Sequence, residues 1–280
     1  MARLSVMFLR PIRVSFRTLC ESSLTTDTNV PQNVVCFIRA RSGAKSSTEQ
    51  LKNRGIKIVT GELDGSKDSI VGLLENVDIV ISCMSPMALK DQIPLIDAAV
   101  AAGVQRFLPC NWGTPAARGV LSLRDVKEDV HDHIFRRRLN FTIIDIGFWY
   151  QASIPRVPSG RFDSAIFMPV NEVYAGGSTP NMLIDARDAG RITVEIIKDE
   201  RTLNKRVIAY GDLLSQNEIH SMIEERTGEK LELTAVRKAP VLLQFLLTKH
   251  RSATMKPKPR SKSARKHLKR IQARDSKDSC

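Results

Sequence analysis

Basic and small polar residues stand at the downstream ends of several short apolar runs. Val34-Val35-Cys36-Phe37-Ile38 is followed by Arg39, with Arg41 and Lys45 close behind. A cation after such a strand is placed to hold the 2′-phosphate of NADP, where an NAD site carries an acid for the ribose hydroxyls. A solvated loop arginine is the plain alternative. The run Asp78-Ile79-Val80-Ile81 gives way to Ser82-Cys83-Met84-Ser85-Pro86, small residues that let a cofactor approach the backbone around Ser82 and Met84. Arg106-Phe107-Leu108 gives way to Pro109-Cys110-Asn111-Trp112-Gly113, which suits a pocket wall at Pro109 and Asn111, although Trp112 fits an ordinary core equally well.

Other chemistry-bearing residues need their surroundings before they mean anything. Lys127 is flanked by Asp125, Glu128 and Asp129 in a helical pattern, the usual setting of a solvated lysine. Buried, the same amine would have a lowered pKa and could polarise an oxygen or relay a proton. His131 and His133 are two apart, so on a helix they face different ways and do not share an ion. Both are expected at the surface, and no metal site is expected. Asp145 closes a strand, as a site carboxylate or as a structural hydrogen-bond acceptor. The five cysteines (Cys20, Cys36, Cys83, Cys110, Cys280) show no CxxC pairing or zinc spacing. Three sit in apolar runs as small hydrophobes, which points to a reducing compartment without disulfides.

Apolar runs alternating with helical patterns position these residues, and that alternation signals βαβ units in a doubly wound α/β fold with a parallel sheet. Strands are expected at Leu4 to Leu9, Val34 to Ile38, Ile56 to Val59, Asp78 to Ser82, Arg106 to Leu108, Phe141 to Ile146 and Arg206 to Tyr210. Helices are expected at Ser46 to about Gly55, Lys67 to Glu75, Leu89 to Ala102, Ser122 to Arg138 and Asp188 to Lys198. A last helix is capped by Ser215 with Glu218 and ended by Gly228. No apolar stretch reaches the roughly 18 residues of a membrane span.

The net charge of +13 resides almost entirely in the tail: from Arg237 onward 14 Lys and Arg stand against 2 Asp, a net of +12, leaving +1 for residues 1–236. The body is therefore not a basic nucleic-acid-binding domain. The tail, a Lys/Arg/Ser/Pro mixture, is expected to be disordered. Its Lys256 to Arg270 stretch would serve as a nuclear-localisation or nucleic-acid patch, or as a solvated tail.

The run Gln105 to Gly113, followed by Leu123-Arg124-Asp125-Val126-Lys127, resembles the NmrA-like, isoflavone-reductase-like family, in which an "RF-x-P-x-x-x-G" segment precedes a helix with a functional lysine. The fungal branch is the nearest in pattern. Its "T-x-x-D-x-G-x-W" strand is similar to Thr142 to Trp149. Its "D-x-R-D-x-G-R" and "D-x-R-T-L-N-K" segments are similar to Asp185 to Arg191 and Asp199 to Lys205. The resemblance runs from Val34 to Val236. It implies a Rossmann-like NAD(P)-binding sheet with a small C-terminal lobe (about residues 150–180 and 211–236) over a small-molecule substrate. It also implies NADPH as cofactor and Lys127 as the catalytic lysine. Gly147 and Trp149 join Arg39, Lys45, Ser82, Met84, Pro109 and Asn111 as expected cofactor contacts. The expected activity is reduction of a small aromatic or secondary-metabolite substrate in the cytoplasm.

Residues 1–33 depart from that pattern. A dinucleotide-binding sheet opens with a strand, a glycine-rich turn and a helix, and the glycines let backbone N–H groups approach the pyrophosphate. Here Arg10-Pro11-Ile12-Arg13-Val14-Ser15-Phe16-Arg17 stands in the turn, and the first glycine is Gly43. The spacing is kept and the phosphate cradle is lost, as in a degenerate or replaced first unit. An Arg-rich, acid-free start also has the composition of a mitochondrial presequence. The alternative function is a non-catalytic, nucleotide-sensing NmrA-like regulator with a transcription-factor partner.

Overall fold

The computed structural model describes residues 5–9, 33–39, 46–53, 55–63, 67–166 and 171–236. In chain order its strands are β1 (Ser5–Leu9), β2 (Asn33–Arg39), β3 (Lys57–Gly61), β4 (Ile79–Ser82), β5 (Arg106–Leu108) and β6 (Thr142–Asp145). They continue with β7 (Phe148–Trp149), β8 (Glu172–Tyr174), β9 (Asn181–Ile184), β10 (Lys205–Ile208), β11 (Asp212–Leu214) and β12 (Thr234–Val236). The α-helices are α1 (Ser46–Lys52), α2 (Lys67–Leu73), α3 (Gln92–Ala101), α4 (Ser122–Arg137), α5 (Ala186–Lys198) and α6 (Gln216–Thr227). None of the described helices is long and apolar enough to cross a membrane.

Among the described residues the chain divides into two compact units. The first takes in those up to Trp112, Ser122–Asp145 and Arg187–Val207; the second takes in Gly113–Leu121, Ile146–Ala186 and those from Ile208 on.

The first unit is built on a five-stranded sheet of order β3-β2-β1-β4-β5, every pair parallel. That is the order of a Rossmann-like, dinucleotide-binding sheet. Parallel strands are covered on both faces, so they are written as unbroken apolar runs. Phe37, Val80 and Ile81 are wholly buried, as are Leu95, Ile96, Ala98 and Ala99 of α3. β1 lies at the centre, with Leu9 opposite Phe37 of β2 on one side and Ser82 of β4 on the other. β6 extends the arrangement through a parallel bridge between Phe107 and Phe141 and pairs with β10. The buried Arg106 guanidinium fastens that corner. It donates to Thr142 Oγ1 at 2.8 and 2.7 Å, to the Ile197 carbonyl at 3.0 Å and to Thr202 Oγ1.

The second unit holds a three-stranded sheet, β11-β9-β7, and the parallel pair β12–β8. β9 runs antiparallel to β11 and parallel to β7. Its core gathers Tyr150, Ile154, Val157, Phe162 and Leu183 against Ile219 and Ile223 of α6. α6 opens with a reciprocal capping box between Ser215 and Glu218 and closes at Gly228, whose φ of +70° is a left-handed conformation natural to glycine.

The pattern expected over Leu89 to Ala102 resolves into a 3-10 turn, Pro86–Asp91, with non-helical φ at Ala88, and then α3. β7, β8, β9, β11 and β12 were not among the expected strands. They are two to four residues long, too short for an alternation to show. The replaced turn at Arg10 to Arg17, the cations Arg41 and Lys45, and the basic segment from Arg237 onward lie outside the described residues.

Candidate active site

In a sheet of this order, ligands lie beyond the carboxyl ends of the strands, at the point where strand order reverses. Here that point falls between β1 and β4, at Leu9 and Ser82. The Ser82 hydroxyl is buried and has no hydrogen-bond partner among the described residues. Buried polar atoms are rarely left so, and an orphan hydroxyl at a switch point fits an acceptor or donor supplied by a ligand. Arg39 closes β2 at the same edge of the sheet. Its side chain is outside the described residues, as is Lys45.

The segments that follow β4 and β5 are laced together. The Cys110 N–H donates to Gln92 Oε1 at 2.7 Å, and the Gln92 amide donates to the Leu89 carbonyl at 3.0 Å. The Cys110 thiol donates to the Met84 carbonyl at 3.1 Å, and the Trp112 indole N–H to the Ser82 carbonyl at 3.0 Å. Met84 and Pro109 are buried in this lacing. Burial pushes the Cys110 thiol up to about 11, against the opposing pull of Lys127 and the hydrogen bond to Met84, so it stays protonated at neutral pH. Cys83 is raised too, first by burial and then by Cys110 and Cys36.

α4 brings an ionisable face against this scaffold. Positions 124, 127, 128 and 131 fall at helical spacing of three, four and seven, on one side of the helix. Arg124, 1% exposed, donates to Asp145 Oδ1 at 2.7 Å and Asn111 Oδ1 at 2.9 Å, and pairs with Glu128 at 2.7 Å. Asn111 in turn donates to Asp145 Oδ1 at 2.7 Å and to the Ile144 carbonyl at 3.1 Å. Its side chain is thus engaged with protein, and a ligand would meet its backbone. Asp145 is wholly buried; Oδ1 receives both donors while Oδ2 has no partner among the described residues. A structural role is therefore visible for Asp145, with one oxygen left over.

Lys127 is 9% exposed, which removes the solvated alternative. Among the described residues its ammonium makes one long hydrogen bond, 3.4 Å to the Trp112 carbonyl. Burial holds its pKa below the ordinary lysine value; Cys110 and Asp145 act to raise it, and Arg124 to lower it. An ammonium has three donors, so with one weak acceptor among the described residues it has capacity for a further oxygen.

His131, expected at the surface, is wholly buried. Its Nδ1 lies 3.3 Å from Glu128 Oε2 and 3.2 Å from an Arg206 nitrogen of β10. Burial, then Arg206 and Arg124, take its pKa to about 4 against the pull of Glu128. Burial acts to raise Glu128, but the Arg206 hydrogen bonds and the charges of His131, Arg124 and Arg206 bring it to about 2. The helical spacing of Arg124, Lys127 and His131 with Val130 and Ile134 was the available signal for this face; Arg206, 75 positions from His131, gave none. His133 is half-buried and pairs with Asp97 at 2.9 Å. Among the described residues no three metal-ligating side chains converge.

Gly147 and Trp149 belong to the second unit. A Cβ on Gly147 would lie 2.5 Å from the Met182 carbonyl oxygen, and its φ is +72°, so only glycine fits beside β9. Trp149, half-buried, pairs with Ile184.

Comparison with known proteins bears on this arrangement. The NmrA-like family matches residues 24–257, beyond both ends of the motif-bearing span. An asnovolin J 5′,6′-dehydrogenase of Aspergillus novofumigatus is 42% identical over 205 residues, covering 72% of this chain and 63% of that protein. An isoflavone reductase-like protein of Olea europaea is 29% identical over 206 residues, covering 69% and 65%. The chain thus spans less than two thirds of the length of these relatives. Among solved structures, a leucoanthocyanidin reductase–NADPH complex of Vitis vinifera superposes with a TM-score of 0.72 at 20% identity, over 90% of this chain and 89% of that one. An isoflavone reductase gives 0.70 at 20% identity, over 92% of each. These likenesses show the fold, and the family match gives the kinship: the chain belongs to the NmrA-like family.

Proposed function

We propose that this chain is an NADPH-dependent reductase of the isoflavone-reductase-like kind, acting on a small aromatic or secondary-metabolite substrate with Lys127 as its catalytic residue. The observation that carries this is the Lys127 ammonium, buried on α4 with one 3.4 Å acceptor among the described residues, beside the ends of β4 and β5. The orphan Ser82 hydroxyl at the switch point fits a dinucleotide. Ser82, Met84, Pro109 and the Asn111 backbone would hold it, and Arg39 and Lys45 would select the 2′-phosphate. NADPH, when bound, supplies hydride. The chain's own part is to bind and orient a substrate oxygen at Lys127 Nζ and to deliver or withdraw a proton there. A pKa below the ordinary lysine value moves the amine in the direction that eases proton transfer. Arg124, Asp145 and Asn111 fix the helix that carries the amine.

Relatives bearing reductase names favour reduction, and the Aspergillus relative's name supplies the reverse direction as a second arm of the same assay. One observation favours a different reading, a regulator that senses nucleotide and binds a transcription factor without turnover: the sequence between β1 and β2 contains no glycine. Calorimetric titration with NADPH and NADP⁺, followed by a substrate panel monitored by NADPH absorbance, separates the two. Binding with turnover is expected. Binding without turnover across the panel in both directions would favour the regulator.

A further inference from the structure

Lys127 is held by a main-chain atom whose position is itself fixed by a side chain. The acceptor is the carbonyl oxygen of Trp112, and the same residue's indole N–H is seated on the Ser82 carbonyl at the end of β4, 3.0 Å away. Trp112 is 9% exposed, so its ring is packed as well as tethered. Cys110, two residues earlier, is fastened at its N–H by Gln92 and at its thiol by Met84. The tether at Trp112 is the last of these and the one next to the amine.

We propose that Trp112 is the positioning residue for Lys127: its indole N–H, anchored on Ser82, fixes the carbonyl that orients the lysine ammonium toward the substrate. This rests on the reading of Lys127 as the reacting amine. A packed aromatic without a donor would fill the same space and leave the carbonyl untethered. The groups that act on the amine are Cys110 from the segment after β5, Arg124 on its own helix and Asp145 at the end of β6. The charged contact from α3 to α4 falls elsewhere, with Asp97 meeting His133 and Arg137.

The test replaces the N–H alone. Trp112→Phe removes it with some loss of bulk, and benzothienylalanine at position 112 removes it at constant shape, so a folding defect in the first leaves the second decisive. Carbon-13 NMR of the lysine ε-carbons in cofactor-free protein reports the Lys127 titration, assigned through its loss in Lys127→Arg. With the fixed acceptor gone and burial kept, the Lys127 pKa falls further below its ordinary value. In turnover, kcat drops about tenfold while the KM for NADPH changes less than about twofold. An unchanged titration overturns the proposal. A rise overturns it too, because it reports water admitted to the amine, which makes Trp112 a mere seal. Should Lys127→Met leave turnover intact, the reading of the amine fails by itself, and the NMR titration still judges the tether.

Discussion

Helices α4 and α6 share an amphipathic build and differ in what they hide. α6, 12 residues, buries Ile219, His220 and Ile223 and is closed by a capping box and a left-handed glycine. Its charged residues stay outside, as in the exposed pair of Glu224 with Lys230. α4, 16 residues, buries Arg124, Lys127 and His131 beside Val130 and Ile134. Burying charges takes them from water at a cost that pairing only partly offsets, so a helix designed for stability alone would resemble α6. Arg124 is met by Asp145 and Glu128, and His131 by Glu128 and Arg206 at Nδ1, while the buried His131 Nε2 has no partner among the described residues. Among the described residues Lys127 has one long hydrogen bond, and under the proposed role the free energy left unrecovered there is stability given up for chemistry.

The contrast can be broken most forcefully at Asp145. Asp145→Ala leaves the Arg124 guanidinium with Glu128 as its remaining acid, and a loss of about 3 kcal/mol in urea unfolding is expected. A loss under about 1 kcal/mol would mean that the buried network does not hold α4.

Acid should act on α4 through His131. Its folded pKa is about 4 against an ordinary 6.5, so between those values the unfolded chain takes up a proton that the fold refuses. Stability is then fully present above pH 6.5 and declines as pH falls toward 4, by about 2–3 kcal/mol. Glu128, at about 2 against 4.5, adds stability that is present above pH 4.5 and is lost as pH falls through 2. Burial also lowers His220 of α6, so the measurement is a difference: unfolding free energy against pH for the parent minus that for His131→Gln. A flat difference from pH 6.5 to 4 would contradict the burial of His131 as a neutral ring.

The smallest effect belongs to α6. Ser215→Ala removes the side-chain oxygen that accepts the Glu218 N–H and should cost about 1 kcal/mol, read by thermal melting, with turnover unchanged. A loss of turnover would mean that the two helices are not separate cases.

Much of the parallel sheet was legible because strands buried on both faces are written as continuous apolar runs; Val34 to Ile38 and Arg106 to Leu108 reappear inside β2 and as β5. The capping box of α6 was legible for a local reason, since Ser215 and Glu218 lie one turn apart. The short strands β7, β8, β9, β11 and β12 were not legible, because pairing between distant residues makes them. The same holds for the site. Lys127 stood out through a family motif, yet its acidic neighbours argued for a solvated face. The groups that meet it, Trp112, Cys110 and Asp145, come from the segment after β5 and from β6. His131 was misplaced at the surface for a related cause: the arginine beside it comes from β10.

Lys127→Met tests the central claim most directly, because it keeps the stem's packing and removes the buried ammonium. With a substrate that the NADPH absorbance panel shows to turn over, kcat should fall at least about a hundredfold. NADPH affinity by calorimetry should change less than about threefold, as expected of a group that acts on the reacting oxygen and not on the cofactor. Turnover equal to the parent's, at unchanged NADPH affinity, would contradict the account and leave the amine of α4 without a chemical role.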